Sequence, residues 1–193
     1  MLLCNVEIQA AQDAGRLVID PEPSPRRPES GRECPYDTHS VDLTLGDEIS
    51  ILEAAPFAFD LTTPGVLAAF MSRNSRTIRI TREQPFRLEP VRFVLGMTRE
   101  VIKLPILPQF ETCLAARVEG KSSRSRCGLL IHFTAPTVHP GFEGTLTLEM
   151  INLGTQVINL TPGMTIAQLL VEEVKGIPFQ KPSQYQGQRN PIG

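Results

Sequence analysis

Apolar and polar positions alternate in short stretches along most of this chain, with glycine or proline between them. Residues 40–52 alternate as two strands broken at Gly46-Asp47, and further short strands are predicted at 77–80, 85–88 and 93–95. The pattern continues over 98–104, 110–118, 145–151, 157–160 and 164–173, and Leu17-Val18-Ile19 reads as one more strand. Helical spacing appears twice. Val6, Ala10 and Ala14 recur at intervals of four within residues 5–15, where Gly15 supplies a stop. Thr63-Pro64-Gly65 ahead of Val66-Leu67-Ala68-Ala69-Phe70 predicts a brief second helix. Residues 21–36, rich in proline, arginine and glutamate, predict an exposed loop, and the chain turns polar after Val174. Many short strands with turn residues between them predict an all-β sandwich or barrel with minor short helices.

Composition narrows the class. A chain of 193 residues suits one domain with a core that needs no staples. A net charge of -2 lacks the basic stripe of a nucleic-acid binder, so an anionic partner must be held by a local cluster. Cys4, Cys34, Cys113 and Cys127 form no Cys-x-x-Cys pair, which indicates neither a disulfide framework nor a zinc knuckle. There is no apolar run of membrane-spanning length and no basic stretch leading into an apolar core at the N-terminus. The expectation is a reduced, cytoplasmic setting with no nucleic acid and no membrane as partner.

Two stretches carry candidate chemistry. Residues 120–128 set Lys121, Ser122, Ser123, Arg124 and Arg126 between Gly120 and Gly128. These donors suit phosphate oxygens, and the glycines admit close approach of backbone N–H groups. Glu149 interrupts a largely apolar strand, as either an exposed strand position or an acid/base group in a pocket. Plainer readings stand beside these. Ser122-Ser123 suits a helix cap, Arg124 and Arg126 suit the surface, and His132 suits a hydrogen-bonded core position. Cys127 suits a small packing residue.

The motifs Gly120-Lys121-Ser122-Ser123-x-x-Arg126-x-Gly128-Leu129, Thr134-Ala135, Pro140-Gly141-Phe142-x-Gly144 and Leu148-Glu149 occur in one order. Together they resemble the dCTP deaminase branch of the trimeric dUTPase-like superfamily. Ser40-Val41-Asp42-Leu43-Thr44-Leu45-Gly46, Pro162-Gly163-Met164 and Tyr185-Gln186-Gly187-Gln188 extend the resemblance nearly end to end. It implies a distorted jelly-roll or β-clip barrel of the dUTPase-like type. A single domain would cover 1–193, with 175–193 as a flexible C-terminal lid. The implied activity is hydrolytic deamination of dCTP to dUTP and ammonia. Glu149 would activate the water and shuttle its proton, and Ser122 and Arg126 would support the water and the charge balance. Lys121, Ser122, Ser123 and Arg126 would bind phosphates. Ala135, Val138, His139, Phe142, Tyr185 and Gln188 would complete the substrate contacts. Mg²⁺ would arrive with the triphosphate, and the protein itself would hold no metal. A zinc deaminase is disfavoured, because His39, His132 and His139 have no glutamate two residues on and Pro-Cys-x-x-Cys is absent. The resemblance also implies a homotrimer with shared active sites, and dCTP, dUTP or dTTP as ligands.

Three departures bear on this reading. His139 stands where relatives usually carry the aspartate that touches the sugar and, in the hydrolytic branch, activates water. Pro136 follows Ala135 in a loop that relatives use for conformational switching. Gln184 stands where a lysine often precedes the tail tyrosine. His139 therefore favours deamination alone. The alternatives are a bifunctional enzyme forming dUMP and pyrophosphate, a plain dUTPase, and a nucleotide-binding regulator that lost the chemistry.

Overall fold

The computed structural model describes residues 1–56, 58, 60–179, 186, 187 and 189–192. In chain order the elements are α1 (Asn5–Asp13), β1 (Val18–Asp20), β2 (Val41–Thr44), β3 (Glu48–Leu52), α2 (Val66–Asn74), β4 (Ser75–Arg79) and β5 (Phe86–Leu88). Then come β6 (Phe93–Lys103), β7 (Thr112–Gly120), α3 (Ser122–Ser125), β8 (Leu129–Leu130), β9 (Thr137–Val138), β10 (Glu143–Asn152), β11 (Ile158–Leu160) and β12 (Thr165–Lys175). The expected mostly-β fold with short helices is what forms. Among the described residues no helix is long and apolar enough to cross a membrane.

One sheet runs β4-β3-β6-β10-β8 with β1 also on β6, a second runs β2-β12-β7-β9, and β11 pairs with β5. The core lies where the apolar faces of the sheets meet, around Leu43, Leu45, Ile49, Ile102, Leu114, Leu148, Met150 and Leu169. β10 shows how the pattern works. Leu146, Leu148 and Met150 point into the core, and the intervening Thr147, Glu149 and Ile151 lie half-buried on the other face. Two strands expected over 93–95 and 98–104 are one continuous strand. Gly96 does not break it, because it is a close-packing point: a Cβ there would lie 2.5 Å from the Met150 methyl carbon. The two-residue strands β8 and β9 escaped the sequence pattern, being too short to show a period.

Candidate functional site

The segment before β8 is a single helical turn. The Lys121 carbonyl accepts the N–H groups of Arg124 and Ser125, both at 2.9 Å. Ser122 and Ser123 are the first residues of α3 and do not cap it, as no side-chain cap bond forms at its start. Their hydroxyls, with Arg124 and Arg126, are left exposed. Among the described residues no carboxylate pairs with either arginine. Lys121 differs. Its ammonium contacts the Asp42 carboxylate of β2, and Asp42 is only 8% exposed. Gly128, at φ 90°, ends the segment in contact with Gly154. Cys127 is exposed instead of packed, its thiol 3.8 Å from the Ser123 carbonyl.

Glu149 lies on the outward face of β10, opposite Leu95 of β6. The loop between β8 and β9 folds back over it, and the Phe133 N–H donates to Glu149 Oε2 at 3.1 Å. One carboxylate oxygen is thus fixed, and among the described residues Oε1 has no partner. Phe133 is itself 48% exposed and meets Phe93 edge-on, with ring centroids 5.6 Å apart. An aromatic wall and an aimed carboxylate therefore share one face of the sheet. His132 is half-buried. Its Nε2 lies 3.4 Å from Glu119 Oε2, and its Nδ1 is buried without a partner, so the expected core histidine is satisfied on one side only.

The remaining predicted contacts gather at the other end of β10. His139 is exposed, and its carbonyl accepts the Phe142 N–H at 3.2 Å in a turn closed by Gly141 at φ 84°. That turn is tied to the end of β6, since Gly141 N donates to Leu104 O and Leu104 N donates to Phe142 O. Phe142 packs against the core, and the Val138 side chain belongs to it, so at Val138 only the backbone remains for a ligand. Ala135 is exposed. Gln186 Nε2 reaches the Gly141 carbonyl at 3.2 Å and Gly187 N the Glu143 carbonyl at 2.8 Å, which brings this part of the tail to the same turn. Tyr185, Gln188 and Gln184 lie outside the described residues. No hydrogen bond or ion pair among the described residues joins Ser122, Ser123 or Arg126 to Glu149 or His139.

Sequence reasoning missed Asp42 and the Phe133 backbone. A signal existed for Asp42, a lone carboxylate inside the apolar run Val41-Asp42-Leu43. Nothing marks a backbone N–H in a sequence.

Comparison with known proteins bears on this arrangement. A family model described as dCTP deaminase-like matches residues 2–174. A protein of Streptomyces avermitilis named dCTP deaminase, dUMP-forming, is 38% identical over 198 residues, covering 99% of this chain and 93% of that one. A Methanosphaera stadtmanae protein of the same name is 34% identical, over 98% and 91% of the two chains. A Thermomicrobium roseum protein named dCTP deaminase is 33% identical, over 99% and 91%. In three dimensions, the 2'-deoxycytidine 5'-triphosphate deaminase of Agrobacterium tumefaciens is similar with a TM-score of 0.61 and 18% identity. The match covers 90% of this chain and 47% of that one and is a likeness of fold. Sequence match and fold agree with the motifs around Glu149: this chain belongs to the dCTP deaminase-like family.

Proposed function

We propose that this protein deaminates dCTP and carries the product on to dUMP and pyrophosphate. The observation that carries the first step is Glu149, half-buried, with one oxygen held by the Phe133 N–H and the other open. Water adds to C4 of the cytosine while Glu149 takes its proton. The carboxyl then gives that proton to N3, takes the remaining proton from the C4 hydroxyl and passes it to the amino group, so that the C4 carbonyl forms as the C4–N bond breaks and ammonia leaves. Ser122, Ser123 and Arg126 face the phosphates, with Mg²⁺ carried by the triphosphate itself. In the second step water adds to the α-phosphorus and pyrophosphate departs. The dUMP-forming names of the relatives at 38% and 34% identity support that step. The contact of Gln186 with the Gly141 turn supports a tail that closes over nucleotide as a lid. The proposed working unit is a homotrimer with sites between subunits, a reading supported by the lack, among the described residues, of any hydrogen bond or ion pair between Ser122 or Arg126 and Glu149 within one chain.

One observation favours a second reading, in which dUTP is released unhydrolysed. His139 stands exposed in the sugar-side turn where the resemblance expects an aspartate, and an imidazole does not supply the carboxylate that the hydrolytic branch uses there. Incubation with dCTP and Mg²⁺, and separately with dUTP, followed by anion-exchange chromatography, decides between them. Formation of dUMP from both nucleotides supports the proposal. Accumulation of dUTP from dCTP, with dUTP untouched, gives the second reading. No change in either tube overturns both.

A further inference from the structure

Lys121 opens the stretch read as the phosphate site, yet its charge is already engaged inside the fold. Its ammonium contacts the carboxylate of Asp42, and the side-chain exposures are 22% for Lys121 and 8% for Asp42. Around this pair the three neighbouring strands are cross-tied. Gln168 of β12 stands opposite Asp42 of β2 on one side and Glu119 of β7 on the other. Its Nε2 donates to the Gly120 carbonyl at 3.3 Å, and its Oε1 accepts the Ser40 hydroxyl at 3.2 Å. Gly120 and Lys121 are thus held from both sides at the point where β7 ends. The Lys121 carbonyl then receives the two N–H groups that make the single turn of α3.

An ammonium backed by a buried carboxylate presents almost no net charge to an approaching polyphosphate. Moving it to a phosphate would strand Asp42 as an uncompensated buried carboxylate, a costly exchange for one exposed contact. Burial already holds the Asp42 carboxyl above the ordinary range, and Lys121 opposes that rise. Arg124 and Arg126 carry no such burden. We infer that Lys121 and Asp42 form an internal strut that positions the Ser122–Arg126 turn, and that Lys121 is a positioning residue, not a phosphate ligand. This rests on reading that turn as the phosphate site.

The test compares Asp42→Asn, Lys121→Met, the double variant and Arg126→Ala, with dCTP kinetics over a range of ionic strength. A strut predicts that both single variants lower kcat/KM for dCTP, about 10-fold to 100-fold, and that the double variant is no worse than the weaker single. The salt dependence of KM stays as in wild type for Lys121→Met and becomes shallower for Arg126→Ala. If Lys121 instead grips phosphate, Asp42→Asn tightens dCTP binding by freeing its charge and Lys121→Met flattens the salt dependence; either result overturns the inference. Should Asp42→Asn fail to fold, the Lys121→Met salt dependence decides alone. Amide hydrogen exchange needs no nucleotide. Faster exchange at Arg124 and Ser125 in Lys121→Met, with β7 and β12 unchanged, supports the strut even if the protein leaves dCTP untouched. Unchanged exchange at those two amides sinks it.

Discussion

Glu149 and Glu100 show what a single carboxylate does in two settings. Glu149 lies half-buried with one oxygen fixed, and Glu149→Gln keeps the shape while removing the base. Deamination is expected to fall at least about 10²-fold with dCTP still bound, read as ammonia release and calorimetric binding. Substantial turnover would move the base to another residue. Glu100 is 5% exposed and accepts from Thr44 N at 2.9 Å and Thr44 Oγ1 at 2.6 Å. Burial, the larger effect, raises its pKa, and the two Thr44 bonds oppose the rise. The folded state therefore binds this proton more tightly than the unfolded chain does. Stability falls as pH climbs from the ordinary carboxylate value through the raised one, and the penalty is complete above it. Glu100→Gln removes that penalty. Its Tm should exceed that of wild type at pH 8, with the gap closing near pH 4; a gap independent of pH would contradict this.

At the scale of elements, the turn carrying Ser122 and Arg126 is located by backbone contact more than by its own helix. Gly128 accepts the Leu153 N–H at 2.7 Å, and a Cβ on Gly128 would lie 2.1 Å from the Gly154 nitrogen. Asn152, wholly buried at the end of β10, locks the same corner. It donates to Leu88 O and Gln156 O and accepts from Gly154 N. Gly128→Ala combines a left-handed φ with a backbone clash and is expected to cost about 3 kcal/mol or more in denaturant unfolding. Asn152→Ala strands three backbone groups, and a loss of about 1–3 kcal/mol is expected by the same measurement. The order of these two losses tests whether close approach or hydrogen bonding dominates the corner. Legibility differed among elements. α1 and β10 were readable because their period is long enough to count. β6 was split wrongly, since Gly96 looks like a breaker until Met150 packs against it.

For the molecule as a whole, the question is whether one chain builds one site. The turn carrying Ser122 and Arg126 shares no hydrogen bond or ion pair with Glu149 among the described residues, and in the proposed homotrimer a neighbour would supply the other half of the site. Mixing inactive Glu149→Gln and Arg126→Ala proteins, unfolded together and refolded, should then restore activity. Random assembly of shared sites gives about a quarter of wild-type sites. Activity no higher than the sum of the two parents would mean that each chain works alone.

The family was legible because its motifs are contiguous: Gly-Lys-Ser-Ser, Pro-Gly-Phe and Leu-Glu are each read within a few residues. The strand content was legible for a related reason, since burial on one face imposes a period of two that needs no partner to be seen. What Lys121 does was not legible. A lysine beside two serines looks like a phosphate ligand until β2, nearly eighty residues away in sequence, brings Asp42 against it. The Phe133 N–H on Glu149 is likewise a product of the return of one loop over one strand. Periodicity and motif chemistry are local and were determined by the sequence alone. Partner choice among charges and backbone groups depends on which strands the fold lays side by side, and only the tertiary structure decided it.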